Sequence, residues 1–298
     1  MNASQNTSQL RRKPRKRQAL LFVLSSEMKR APRSAQFGMA VIALYALIAV
    51  FAPLIAPYGE SEIVSSFPYG QWSASFPLGT DQLGRDVLTR LIYGARNTIG
   101  IALAATILSF FVGGVLGILV SVVRGWLDQL LSRAVDALIA IPALIFALIL
   151  LSVFGTSILN LIIIIAVLDA TRVFRLARSV AMNVAMMDFV EAARLRGESL
   201  TWIVGREILP NILPTLVTEM GLRFAFVFLT ISALSFLGLG IQPPTADWGS
   251  MVRESAALIS YGDIAPLLPA ACIALLTVAV NYVVDWIIHR TSGLPKNG

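Results

Sequence analysis

Charge is what this sequence has least of. Only 14% of its 298 residues are Asp, Glu, Lys or Arg, and 56% are hydrophobic. Soluble domains carry about 25% charged residues, so an ordinary soluble globule is excluded and the chain reads as an all-α integral membrane protein. Cysteine and histidine are nearly absent, with Cys272 and His289 the sole examples. One cysteine excludes an intrachain disulfide, and the pair leaves too few ligands for a His/Cys metal site. There is no His-Glu-x-x-His, no Gly-x-Ser-x-Gly and no Gly-x-x-x-x-Gly-Lys. Zinc-protease and serine-hydrolase chemistry lack their residues, and so does the loop that cradles ATP phosphates.

Long apolar runs are abundant. A membrane helix needs about 20 mostly apolar residues. Such runs lie near 37–57, 97–123, 133–154, 210–236 and 264–288. A sixth, near 157–177, is strongly apolar at first ("SILNLIIIIAVL") but meets Asp169 and Arg172. The first run is longer than the roughly 7–15 residues of a signal-peptide core, so it reads as a retained span.

The net charge of +7 comes from basic residues at the ends of the runs, which is an orientation signal and not a nucleic-acid surface. With six spans and the N-terminus inside, 19 of the 24 Lys/Arg fall on the inner side. Arg85, Arg90, Arg96 and Arg253 fall outside, and Arg223 lies within a span. Five spans would expose the six arginines between Arg172 and Arg206 to the outside, against the positive-inside bias. The cluster "RRKPRKR" reads as a cytoplasmic tail, with a lipid- or partner-binding arm as the alternative.

Two outer segments are long. In "FPLGTDQLGRDVLTRLIYGAR", Thr80 or Asp81 could cap a short interfacial helix with Leu83, Val87, Leu88 and Leu91 on its apolar face. In "GLGIQPPTADWGSMVRESAALISYGD", Pro243–Pro244 forbids regular helix and Trp248 suits a membrane interface.

The inner segment "DFVEAARLRGESLTWIVGREILPN" is charged and well punctuated. Asp188 and Glu191 have capping-box spacing, which predicts a helix over about 189–196. Gly197 fits the left-handed position that ends it. Ser199 can start a second short helix with Leu200, Ile203, Val204 and Ile208 on one face, and Leu209–Pro210 opens the next span. Ala192 and Ala193 make the first helix thin enough to enter a groove of another protein. The alternative is a helix that only lies on the headgroups.

"EAARLRG" followed by "ILP" resembles the Glu-Ala-Ala motif of ABC importer permeases, with Ile208 adjoining Leu209 where one residue usually separates them. "FPLGTDQLGRDVLTRLIYGAR" and "LSFLGLGIQPPTADWGSMV" look like the two periplasmic landmarks of the dipeptide/oligopeptide/nickel permease family, DppC/OppC-type. The likeness covers roughly residues 35 to 288. It implies a type I importer permease (MetI-like) fold with six transmembrane helices and a cytoplasmic coupling helix. It implies that Glu191, Ala192, Ala193, Gly197, Leu209 and Pro210 couple to an ATPase. It implies a second, DppB/OppB-like permease, two ATP-binding subunits that hold ATP and Mg, and a periplasmic solute-binding protein. This chain then carries no cofactor of its own and sits in a bacterial inner membrane with both termini cytoplasmic. It divides into a basic arm (1–35), a first span with its periplasmic segment (36–96), a five-helix core (97–290) and a cytoplasmic tail (291–298). The core includes the coupling loop (186–209) and a periplasmic loop (238–263). The last span, "NYVVDWIIHRTSG", lacks the family's Gly-Asp pair, so nickel, opine or glutathione-like solutes stand beside peptides.

Glu219 and Arg223 stand four apart with Glu first, the order that favours an intrahelical pair. Near mid-bilayer, both should face the protein interior or a wet path. They line the solute path, or they hold two helices together. Asp169 and Asp285 lie nearer the inner ends, where a structural role fits. A remote enzymatic alternative makes them the two carboxylates of an intramembrane aspartyl protease. Gly113 and Gly117 permit close helix packing.

Overall fold

The computed structural model describes residues 31–291. The basic cluster before residue 31 and the tail beyond 291 lie outside the described residues. The regular elements of the described residues are helices, and their sole β-bridge joins Thr80 to Asp86. The helices are α1 (Arg33–Ile55), α2 (Val87–Val123), α3 (Trp126–Ile139), α4 (Ala143–Phe154), α5 (Ile158–Ala185), α6 (Asp188–Leu195), α7 (Leu200–Trp202), α8 (Leu209–Phe236), α9 (Trp248–Ser255) and α10 (Leu267–Thr291). A π-helical stretch, Ile203–Ile208, fuses α7 to α8. A 3₁₀ turn, Ala256–Tyr261, follows α9.

Four of these helices are long and apolar enough to cross a membrane: Arg33–Ile55, Val87–Val123, Leu200–Phe236 and Leu267–Arg290. The expected span over 133–154 is broken. α3 and α4 meet at 90°. The cause is Pro142: the residue before a proline is pushed out of the α region, so the helix stops at Ala140 and a new one starts after Pro142. Counted as one bent span, the pair makes a fifth. α5 is continuous for 28 residues, but Asp169, Arg172 and Arg175 crowd its middle, so length and apolarity alone do not make it a sixth.

The expected outer interfacial helix is also absent. Residues 80–86 form a loop, and Asp86, not Thr80 or Asp81, caps the helix that follows by accepting from the Thr89 N–H at 2.8 Å. α2 then runs without a break for 37 residues, about 55 Å, from that loop to Val123.

α2 and α5 form the central packed pair. A Cβ at Gly113 would lie 2.3 Å from the Ala170 carbonyl oxygen, and one at Gly117 would lie 2.6 Å from that of Phe174. The two glycines therefore let the backbones touch. Two apolar cores result. The larger joins α1, α2, α4, α5, α8, α9 and α10, with Tyr45, Phe228 and Trp248 at its heart. The smaller joins the ends of α2, α5 and α8 nearest α6 to α6 itself through Ile118, Val184, Val190, Ala193, Ile203, Ile208 and Ile212.

Candidate functional site

The first site is built from the chain between α5 and α8. α6 starts one residue earlier than expected. Met187 is its N-cap, no side chain caps it, and Asp188 is its first residue, so the Asp188–Glu191 capping box does not form. Both carboxylates instead sit in the first turn, where the helix dipole favours them. The end is as expected. Gly197 has φ +80°, its N–H donates to the Arg194 carbonyl at 2.9 Å, and the Glu198 N–H reaches back to Ala193 at 3.2 Å. This is a Schellman motif. Ser199 caps the next helix by accepting from the Trp202 N–H at 3.3 Å.

The expected second short helix is part of one continuous helix, Leu200–Phe236. Pro210 cannot donate and its ring crowds the carbonyl four residues back. The π turn over Ile203–Ile208 widens the spiral there, and the helix passes the proline without ending. Leu209 and Pro210 are exposed, while Ile208 is buried and anchors the stretch.

α6 shows its two faces clearly. Val190 and Ala193 are buried against the molecule's own helices, so Ala193 thins the helix toward its own chain and not toward a partner groove. Glu191, Ala192, Arg194 and Gly197 are exposed, with Met186, Met187, Phe189 and Leu195 among them. Leu195 is 83% exposed. A charged helix presenting that much apolar surface suits contact with a protein partner or with the membrane surface.

The second site is the charge within the spans. Arg223 Nε lies 2.6 Å from Glu219 Oε1, so the expected pair forms. Its Nη1 also lies 3.8 Å from Asp169 Oδ1, and Ser109 Oγ lies 3.0 Å from Asp169 Oδ2. Asp169 therefore belongs with the pair and not with the inner ends of the spans. Sequence spacing found only the partner four residues away on the same helix. Asp285 is exposed on α10 while Asp169 is buried and engaged, so they do not form a matched carboxylate pair.

The third site joins the two outer motifs. Asp81 accepts from the N–H groups of Leu83 and Arg85 at 2.8 and 3.0 Å, from Arg85 Nε at 2.7 Å, and from Arg90 Nη1. Arg90 Nη1 also donates to Glu254 Oε2 at 2.8 Å. Burial pushes the Asp81 carboxyl up, but the Arg85 N–H and the Arg90 guanidinium outweigh it and hold it below the usual carboxylate range. Nearby, Asp247 accepts from the Thr98 hydroxyl and the Ser250 N–H, both at 2.8 Å. Burial pushes its carboxyl up. Trp248 is not at an interface: it is buried, packs edge-on against Tyr45 and Phe228, and donates from Nε1 to the Leu91 carbonyl at 3.0 Å. An indole whose N–H finds a partner inside can leave the membrane boundary.

These three sites lie on one scaffold of apolar helices, and the sequence comparisons fix what that scaffold is. The sequence model of the family described as binding-protein-dependent transport system inner membrane component matches residues 113–292. The chain belongs to that family. A second model, the N-terminal transmembrane domain of oligopeptide transport permease C, matches residues 30–69. The chain is 35% identical over 254 residues to a di/tripeptide transport system permease protein DppC of Pseudomonas aeruginosa, covering 83% of this chain and 84% of the relative. It is 33% identical over 248 residues to a dipeptide transport system permease protein DppC of Alkalihalophilus pseudofirmus, covering 83% and 82%. It is 31% identical over 259 residues to one of Haemophilus influenzae, covering 85% and 88%. As a transport-system inner membrane component it is a multi-pass permease subunit of an ABC transporter and not an enzyme. The protease alternative falls with that.

Proposed function

We propose that this chain is the DppC/OppC-type permease subunit of an ATP-driven importer, supplying half of a gated path for di- or oligopeptides. The observation that carries the reading is α6. Its inner face is buried in the apolar cluster of α2, α5 and α8, its outer face is exposed, and its Schellman corner joins the helix that bears Glu219 and Arg223. A push on α6 therefore reaches the charged level of α8 through one continuous helix.

In this reading Glu191, Ala192, Ala193, Gly197, Leu209 and Pro210 form the coupling element. Glu191 and Ala192 face the ATPase, while Ala193 and Ile208 hold the element to the spans. Glu219 and Arg223 border the path. Six spans cross the membrane. α4, with about 18 Å of helix, makes a short third, and the apolar first half of α5 makes the fourth. The termini are cytoplasmic, the loop 186–209 is cytoplasmic, and the loop 238–263 is periplasmic. The division into basic arm (1–35), first span and periplasmic segment (36–96), five-helix core (97–290) and tail (291–298) follows. The partners are a second, DppB/OppB-like permease, two ATP-binding subunits that bind ATP and Mg, and a periplasmic solute-binding protein. The relatives named for dipeptide or di/tripeptide transport favour peptides over nickel, opines or glutathione-like solutes.

Reconstitution tests this. Proteoliposomes holding the four subunits and the binding protein are expected to take up radiolabelled dipeptide with ATP, and to lose uptake without this chain. Uptake of nickel but not dipeptide would reassign the solute. Periplasmic labelling of a cysteine placed at Ala192 would overturn the topology.

A further inference from the structure

α3 has three sectors, and only one is explained by packing. Successive residues lie about 100° apart around a helix. Leu131, Val135 and Ile139, with buried Asp128, form the sector turned to the rest of the chain. Trp126, Leu130, Ala134 and Ala137 share a second sector, and all are exposed, Trp126 by 70% and Leu130 by 56%. Gln129, Arg133 and Asp136 form a third, also exposed. A helix wholly in water would not carry the second sector, and a helix wholly in lipid would not carry the third.

The orientation is set at both ends. The 90° corner at Pro142 turns α3 across the axis of α4. The exposed apolar stripe continues around that corner into Ile141, Leu144 and Ile145, which are also exposed. At the buried sector Arg178 of α5 grips Asp128 with two bonds, Nε to Oδ1 at 2.5 Å and Nη2 to Oδ2 at 2.7 Å. Such a bidentate pair fixes orientation as well as distance. Arg133 lies at the border between the apolar and polar sectors, and Arg124 stands just before the helix. Long basic side chains at that border reach lipid phosphates while their stems stay apolar.

We propose that α3 is a monotopic anchor lying in the headgroup region of the inner leaflet, with its Trp126–Leu130–Ala134–Ala137 stripe among acyl chains and Arg124 and Arg133 on anionic lipid phosphates. Assigning the inner leaflet rests on the topology proposed above. Through Asp128–Arg178 the anchor holds the lower half of α5 at a depth set by the lipid. α5 leads directly into α6, so the coupling helix moves against a reference fixed to the bilayer.

A nitroxide at Ala134, in a Cys272→Ser background and in the assembled transporter in anionic-lipid nanodiscs, tests this. The expected result is frequent collision with oxygen and rare collision with a water-soluble nickel chelate. That readout does not depend on which leaflet is involved, so it stands apart from the topology. Frequent nickel collision would place the stripe in water, and shielding from both would place a protein subunit over it. Either result overturns the proposal. Leu130→Glu is expected to lower solute-stimulated ATP hydrolysis several-fold, while Gln129→Glu in the polar sector leaves it unchanged. Equal tolerance of both would also overturn the anchor.

Discussion

The two ends of this permease, called outer and inner after the proposed topology, are held by opposite means. At the outer end the buried Arg85 and Arg90, with the half-buried Asp81 and Glu254, tie the loop before α2 and its first turn to α9. Arg90 is 1% exposed. At the inner end α6 is held by Val190, Ala193, Ile203 and Ile208 in an apolar cluster, and its nearest ion pair, Arg196–Glu198, is exposed at 3.9 Å. The difference follows from what each contact tolerates. A buried ion network is directional, and removing one member leaves an uncompensated charge. Apolar contact is non-directional and can shift by small steps without losing a partner. A welded outer end and a compliant inner end suit the proposed function, in which the drive comes from the α6 side.

The largest expected effect therefore comes from breaking the outer network. Arg90→Ala is expected to cost about 3–5 kcal/mol, as for other buried pairs that lose one partner. Reduced expression and a lower unfolding midpoint of the purified transporter would show it. Normal stability of that variant would mean that the outer end is not held by charge.

The Glu219–Arg223–Asp169 cluster comes next, because it tests whether charge welds there too. Arg223→Gln leaves Glu219 and Asp169 facing each other without a cation. It should harm folding or uptake most, Glu219→Gln least, and the double change should fall between, with a coupling of about 1–3 kcal/mol. A double variant no better than Arg223→Gln would indicate separate contacts with solute. Expression and uptake of the three variants decide.

At the inner end the effects on stability shrink while those on coupling remain. Gly197→Val forces a β-branched residue to positive φ, at a cost of about 1–2 kcal/mol. No atom lies within 4 Å of an added Cβ, so the cost is conformational and not steric crowding. The variant should insert, leave solute capture by the binding protein intact and lose solute-stimulated ATPase activity and uptake. Retained coupling would remove this corner from the force path.

Acid sharpens the contrast further. The Asp81 carboxyl is held low in the folded chain, so its contribution is present above its unfolded value near 3.9 and is lost as pH falls through the folded value. Unfolding midpoints should drop toward pH 3 in the parent and drop less in Asp81→Asn. Glu191→Ala is the mildest change. It makes no cap bond, so only a dipole term of about 0.3–1 kcal/mol is lost, and any larger fall in coupled ATPase activity reports contact with the partner.

The outer network also shows where reading the sequence stops. "GTDQLGRDVLTR" and "TADWGSMVRE" are both visible as motifs, yet nothing local says that Arg90 and Glu254 meet across a separation of 164 residues. Trp248 looks interfacial by residue type and is buried because Tyr45, Phe228 and the Leu91 carbonyl satisfy both its ring and its N–H. Asp169 looks peripheral by position and is drawn to Arg223 on another helix.

By itself the sequence determined what depends on neighbours within a few residues. The apolar runs, the left-handed glycine at 197, the Ser199 cap and the Glu219–Arg223 pair are set by solvent, backbone sterics and helical periodicity, all local. The three-dimensional packing decided the rest. It made Met187 and Asp86 the caps, turned Ala193 inward, carried the helix through Pro210 by a π turn and brought the outer motifs together. Those outcomes depend on which buried polar groups find partners once distant helices touch, and a buried charge or N–H takes the partner that folding supplies.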